Sequence, residues 1–409
     1  MPQALPTSRG QSPGVKKLLL LLFATGWAAN HFAALIPVLH ESGRYPSGSL
    51  EAAFGLYALG LLPSLLTGGA LADRFHPRPL IVVGALTAAV GNLFILLSSG
   101  PLGTSLARFL VGLGVGISIS AGNAWMARIR PNGGPTLAGT IITTGFAVGP
   151  LLGGLISELL PDSMNLAAPI LTTVALSSIT AMLVASLQVA DSAGAELHRI
   201  DGSAAHPPAR PRESLRPVLW RAIPMALWVF SCVTVPVVVL VTRMTDEFSG
   251  PIPAGLLSFT ALGSGAITQI IARRRRWGFG SGPVGLVVAA AGFTVAAFFS
   301  DPATPTLALG CAVLLGIAYG LNLRNGLMDI EALAPESRRG LVGGIFYVAT
   351  YTGFAVPYLL TTLEPVAGGT LPLLTLGALS LATAALRITQ LRKASIPGRA
   401  PHNREIRAS

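Results

Sequence analysis

Two side chains in this sequence could handle charge in an apolar setting, Arg108 and His31. Arg108 lies within the apolar run 103–126, and no Asp or Glu stands mid-run in any apolar stretch to serve as its counter-ion. A guanidinium taken out of water is costly unless it faces a cavity or a partner. Its expected partners are helix carbonyls, polar side chains, water or an anionic group on a bound molecule; a structural arginine bonding to carbonyls across the first and fourth runs is one of these readings. His31 follows Asn30 in the run 18–39, and at 1.5 Å per residue from Leu18 it lies about 20 Å along a helix. An imidazole titrates near neutral pH and can carry a proton between two access states. His31 is therefore the first proton-site candidate, beside the reading of a neutral histidine bonded to a neighbouring helix.

Several amphipathic side chains sit at a similar depth. Trp27, Asn30 and His31 share a face by their i, i+3 and i, i+4 spacing, as do Tyr347 and Tyr351. Tyr57, Trp228, Tyr319 and Asn322 join them by depth alone. Aromatics with few charges suit a bulky, largely apolar organic molecule with one polar handle, although each would serve equally well as helix packing. No ring of charges speaks for phosphorylated sugars or dicarboxylates.

The elements that must position these residues are membrane helices. Half of the chain is apolar (51%), only 11% is charged, and mean hydropathy is +0.64, which sets it apart from soluble domains. A span needs about 20 apolar residues, and twelve such runs occur: 18–39, 51–71, 79–99, 103–126, 137–158, 168–188, 219–242, 254–272, 280–299, 305–325, 340–362 and 370–391. Lys and Arg collect in cytoplasmic loops. With the amino terminus inside, Lys16, Lys17, Arg74, Arg78, Arg128, Arg130, the linker arginines, Arg273 to Arg276, Arg338, Arg387 and Arg392 all fall on the inner side, and only Arg44 and Arg243 fall outside. Twelve helices with both termini in the cytoplasm, in the plasma membrane, is the expectation, with a cytoplasmic tail 1–17, a bundle 18–188, a linker 189–217, a second bundle 218–392 and a basic tail 393–409.

That distribution also accounts for the net charge of +11, which follows topology and calls for no nucleic acid. Cys232 and Cys311 fall inside runs, so neither a disulfide framework nor a metal site is expected. The first apolar run lacks a small-residue cleavage site and reads as a retained helix. No GxxxxGK[ST] is present, and no nucleophile motif, so neither ATP-driven work nor an enzyme is expected, and no cofactor.

Residues 189–217, with Asp191, Glu196, His206, Pro207, Pro208 and Pro211, read as a flexible linker between two six-helix halves. Asn123-Ala124-Trp125-Met126 returns as Asn325-Gly326-Leu327-Met328, and Gly145-Phe146-Ala147-Val148 returns as Gly353-Phe354-Ala355-Val356. A duplicated six-helix unit is a transporter architecture, with its path between the halves. In the fifth run, Gly145, Gly149 and Gly153 form a stripe four residues apart that lets another backbone come close. Pro150, ahead of Gly153 and Gly154, withholds a backbone donor and is expected to bend or weaken the helix.

Three segments resemble motifs of the major facilitator superfamily. Gly69-Ala70-Leu71-Ala72-Asp73-Arg74 is similar to the first half of its G-x-L-a-D-R-x-G-R-K signature, and Arg108 with Gly112, Gly114 and Gly116 is similar to its arginine-led glycine stretch. The decapeptide Gly145 to Gly154 resembles the motif of its drug and metabolite antiporters. After Arg74 only Arg78 of the basic pair remains. The resemblance implies an all-α carrier of two pseudo-symmetric bundles, with Arg108 taking part in proton coupling. It implies a gating contact from Asp73 to the start of helix 11 near residues 337–340, where free backbone amides favour an anion; a helix-end carboxylate paired with Arg74 or Arg78 is the other reading. It further implies proton-coupled efflux of a small organic compound by a functional monomer; uptake by symport and a transporter-like sensor without flux stand as alternatives.

Overall fold

The computed structural model describes residues 13–46, 48–98, 100–130, 134–187, 214–243, 250–298, 304–335 and 338–394. The expected linker and both tails lie almost wholly outside them. Every described element is helical. In chain order the membrane helices are α1 (Pro13–Asn30, continued by Phe32–Glu41), α2 (Ser49–Arg74), α3 (Pro77–Leu97), α4 (Pro101–Ile129), α5 (Gly134–Leu159) and α6 (Ala167–Ala185). The second half holds α7 (Arg216–Thr234, then a π-helical turn Val235–Val239 and Leu240–Thr242), α8 (Pro251–Arg274), α9 (Ser281–Ala297) and α10 (Pro305–Leu333). It closes with α11 (Arg339–Tyr351, a 3-10 turn Thr352–Ala355, then Val356–Ala367) and α12 (Thr370–Ala394).

Eleven of these helices are long and apolar enough to span a membrane, and α9 is shorter, with 17 residues. At 1.5 Å per residue α9 reaches about 26 Å, close to the hydrocarbon thickness of about 30 Å. Helices begin where proline can sit without wasting a donor, at Pro77, Pro101, Pro251 and Pro305. Hydroxyls inside the spans are silenced by bonding back to the preceding turn, as Thr25 does to Leu21, Ser258 to Ala254 and Thr268 to Ser264. Apolar composition makes the helix obligatory because lipid offers the backbone no other partner.

The two halves repeat one packing scheme. In the first, α1 packs on α5, α2 on α4, and α3 on α4 and α6; in the second, α7 packs on α11, α8 on α10, and α9 on α10 and α12. The seam between halves follows the same symmetry, with α5 and the second segment of α1 on α8, and α2 on α11. The arginine-led stretch of α4 explains its central place: a Cβ at Gly112 would collide with the Tyr57 carbonyl of α2, and one at Gly114 with the Gly84 carbonyl of α3. Both helices approach α4 at backbone distance.

One expectation is corrected. Helix α10 runs to Leu333, well past 325, and buries Asp329 against Arg387 of α12 one turn before its exposed end. Helix α5 runs without interruption through Pro150. Interruptions fall at His31 in α1, in the π-helical turn of α7 and in the 3-10 turn of α11; α1 and α7 hold equivalent places in the two halves, whereas α5, the counterpart of α11, is continuous.

Candidate functional site

The break in α1 is the centre of a polar knot. His31 is a single turn residue between the two segments, with the Ala34 amide bonded to its carbonyl at 3.1 Å. The two carbonyls just before it collect side chains from other helices. Ala28 accepts from Asn92 Nδ2 of α3 at 3.3 Å and faces His31 Nδ1 at 3.3 Å; Ala29 accepts from both terminal nitrogens of Arg108 at 3.2 Å. A carbonyl can only accept, so Nδ1 carries the hydrogen in that contact and Nε2 keeps its lone pair. Phe32 and Tyr57 cover the guanidinium, their ring centroids 4.6 and 4.7 Å from its central carbon, where the ring faces attract the cation. His31 and Arg108 are both fully buried. Arg108 thus bonds across α4 and α1 with no carboxylate beside it, and His31 Nε2, Asn92 Oδ1, Tyr57 Oη and Arg108 Nε remain without a partner. Such atoms are costly in an apolar interior.

Directly below that knot, α5 is fastened to α1 by its decapeptide. Cβ atoms at Gly26 or Gly145 would overlap the facing backbone, at Ile142 and Phe23, while Gly149 lies against Trp27. Gly154 meets the Pro251 carbonyl of α8, and Gly255 of α8 meets the Pro150 carbonyl. The decapeptide therefore touches both halves, the stripe facing α1 and Pro150 with Gly154 facing α8; Gly153 has more room, with His31 Cβ the nearest atom to an added methyl at 3.5 Å. Pro150 cannot donate to the carbonyl four residues back, which belongs to Phe146. Asn30 Nδ2 donates to that carbonyl at 2.9 Å. The amide replaces the missing backbone donor, which explains why α5 continues unbroken.

Of the eight pocket candidates, four converge. They gather on Tyr351 of α11, which is within electrostatic reach of Tyr57 of α2, Tyr319 of α10 and Tyr347 of α11, and the Phe230 ring joins Tyr319 at 6.1 Å to Tyr351 at 4.7 Å. Between their rings lie three that the sequence reading passed over: Phe54 of α2 stacks on Phe354 at 5.1 Å, Phe230 of α7 is 5.0 Å from Phe354 and 4.7 Å from Tyr351, and Tyr57 is 5.9 Å from Phe354. Phe54 precedes Tyr57 by one helical turn and Phe354 belongs to the GFAV repeat, so spacing and repeat together held the signal. The other four face elsewhere. Trp27 donates to Thr173 of α6 at 2.9 Å, and Trp228, its counterpart, to Thr383 of α12 at 3.1 Å. Asn322 lies against Gly285 of α9, and Asn30 serves Phe146.

The side chains of Gly69, Asp73 and Arg74 lie outside the described residues, as do residue 337 and the side chains at 339–340, and the expected gating contact falls there. Nearby, Arg78 donates to the Ala185 carbonyl at the end of α6, and Arg128 to the Ala72 carbonyl of α2 at 2.7 Å. Each places a cation on the last carbonyls of a helix, where the dipole favours it.

Arg108 is not the only buried charge, as the sequence implied. Arg387 of α12 and Asp329 of α10 form an ion pair at 2.7 Å, with side-chain exposures of 2% and 1%. Arg387 also donates to Gln390, which in turn donates to the Trp220 carbonyl of α7. The expectation failed because hydropathy places the end of α10 before Asp329 and assigns Arg387 to the inner rim. Among the described residues no group of His, Cys, Asp and Glu is assembled that could hold a metal ion.

Known proteins share this architecture. The nucleoside transporter NupG superposes with a TM-score of 0.70 at 12% identity, covering 93% of this chain and 99% of NupG. A POT family transporter in complex with 5-aminolevulinic acid gives 0.74 at 12% identity, covering 94% and 97%. These likenesses establish the fold alone. In sequence, the probable anion transporter 6, chloroplastic, of Arabidopsis thaliana is 30% identical over 136 residues, 32% of this chain and 26% of the plant protein; the chain spans about a quarter of that relative's length. The Major Facilitator Superfamily profile matches residues 18–357, most of both halves, and the chain is a member of the Major Facilitator Superfamily, a multi-pass membrane transporter.

Proposed function

We propose that this carrier works by alternating access and couples protons to the efflux of a small, largely apolar organic compound bearing one polar handle. The observation that carries the reading is the seat of the decapeptide, pressed through glycine both onto α1 of its own half and onto α8 of the other. A helix in close register with both halves is placed to transmit their rocking, and it contacts the segment holding His31. His31 is the proton site, with Arg108 beside it on the next carbonyl of α1. The resemblance of the decapeptide to the antiporter motif sets the direction. The carrier sits in the plasma membrane with both termini in the cytoplasm and acts as a monomer; Asp73 latches the inner ends of the halves, and 189–217 links them. Proton-coupled uptake is the second reading, and the plant relative's description as an anion transporter is the observation that favours it.

The test is a compound screen in inverted vesicles carrying a pH-sensitive dye. Efflux by antiport gives compound-dependent proton release. Proton movement of the opposite sign establishes uptake, and flux insensitive to a collapsed pH gradient sinks the coupled reading.

A further inference from the structure

The ring cluster and the arginine form one continuous surface. Tyr57 touches both, with the Arg108 guanidinium on its ring at 4.7 Å and Phe354 at 5.9 Å. The cluster lies on the seam between the halves, where Gly55 of α2 brings its backbone against the Phe354 carbonyl. Phe354 belongs to the 3-10 turn that interrupts α11, and Phe230 stands one turn before the π-helical turn of α7. Irregular backbone at membrane depth is tolerated where protein buries it or where it lines a cavity. Ring contacts such as Phe54 on Phe354 join the two halves, so alternating access must part them. At one end of this divisible aromatic surface stands a permanent cation with no acid beside it among the described residues and an unpartnered Nε, next to an unpartnered Tyr57 hydroxyl.

We propose that this seam binds one planar aromatic ring carrying a single anionic group, the ring among Tyr57, Phe230, Tyr351 and Phe354 and the anion on Arg108. Rings of both halves can stack on an aromatic cargo as they now stack on one another. An anion can take the guanidinium hydrogens that the Ala29 carbonyl leaves free, in a charge-assisted and oriented contact. An aromatic cation would enjoy the same ring faces, but Arg108 repels it. The inference rests on the carrier reading and gives its polar handle a charge and a place.

Binding to the full chain in lipid nanodiscs, with radiolabelled benzoate and unlabelled competitors, tests it. Benzoate should bind saturably, with benzamide and cyclohexanecarboxylate about tenfold or more weaker, since each lacks either the charge or the ring. Arg108→Gln should weaken benzoate by about tenfold to a hundredfold while leaving benzamide within about twofold, and Arg108→Lys should recover part of the loss. Phe354→Leu should weaken both ring compounds. Equal affinity for benzoate and benzamide, or for benzoate and cyclohexanecarboxylate, overturns the proposal, as does tighter binding of phenyltrimethylammonium or no saturable binding of the panel. These outcomes use the unaltered protein, so a variant that fails to fold does not shelter the idea. Benzoate counterflow in proteoliposomes separates the two claims: binding without flux refutes the carrier and keeps the site, whereas flux of other compounds without benzoate recognition refutes the site and keeps the carrier.

Discussion

The two halves each bury an arginine, and they satisfy it in different ways. In the second half Arg387 is matched to Asp329 at 2.7 Å and tied through Gln390 to α7. In the first half Arg108 has two bonds to one carbonyl, two covering rings and no acid. The ion pair cancels its own charge and fixes α12 onto α10, although Arg387 Nε and Asp329 Oδ1 are left without a hydrogen-bond partner. An open charge on the seam is one the molecule retains at a cost, which a bound anion would offset. The contrast separates an arginine that holds the fold from one that acts.

The largest effect should come from breaking the closed pair. Asp329→Asn leaves Arg387 buried without its counter-ion and should cost about 3–5 kcal/mol of stability, read as a drop in the unfolding midpoint of the detergent-purified carrier. Replacing both partners together, Asp329→Leu with Arg387→Met, should restore most of it, because two apolar groups need no counter-ion. Arg108→Gln should cost far less stability while abolishing coupled transport. If Arg108→Gln unfolds the carrier as readily as Asp329→Asn does, the division between holding and acting is wrong.

How much of this was legible in the sequence differs by region. Twelve helices, eleven of them long and apolar enough to span, and their duplication followed from run length and from the GFAV and Asn-x-x-Met repeats, because lipid leaves an apolar run of that length no option but a helix. The glycine stripe of α5 was legible for the same reason, since only a close backbone needs it. Side-chain direction was not. Depth placed Trp27 and Trp228 with the tyrosines, but their indoles turn to Thr173 and Thr383 on the flank of each half. The ends of α10 and α12 misled because burial by neighbouring helices, which hydropathy does not see, hides the charges of Asp329 and Arg387.

A smaller effect tests how alike the halves are. Thr234 of α7 donates to the Gly353 carbonyl at 3.1 Å beside the Val356 amide of the 3-10 turn, where Asn30 of α1 donates at 2.9 Å to the Phe146 carbonyl that Pro150 leaves without its backbone donor. In both halves a polar side chain of the first helix bonds a carbonyl ahead of a proline, but only at Phe146 does it replace a lost backbone donor. Asn30→Ala should cost about 1–3 kcal/mol, the penalty of an unsatisfied buried acceptor, and Thr234→Val less, because the Gly353 carbonyl keeps the Val356 amide. Pro150→Ala returns the backbone donor to α5, so the cost of Asn30→Ala should largely vanish in that background. An undiminished cost in the double variant would mean that Asn30 acts through something other than the orphaned carbonyl.

The smallest change in stability, and the most specific in function, is expected at His31. Its Nε2 has no partner, so His31→Gln removes no bond at that atom and can keep the contact of Nδ1 with Ala28 through its amide. Unfolding should shift by less than about 1 kcal/mol, below the cost of any orphaned buried group. A residue that carries the proton through the cycle is needed for net coupled movement but not for exchange of one cargo molecule for another. His31→Gln should therefore retain counterflow and lose proton release in inverted vesicles. Retained proton release would move the proton site away from the α1 break and leave Arg108, among the described residues, as the charged group of the seam with a part in coupling.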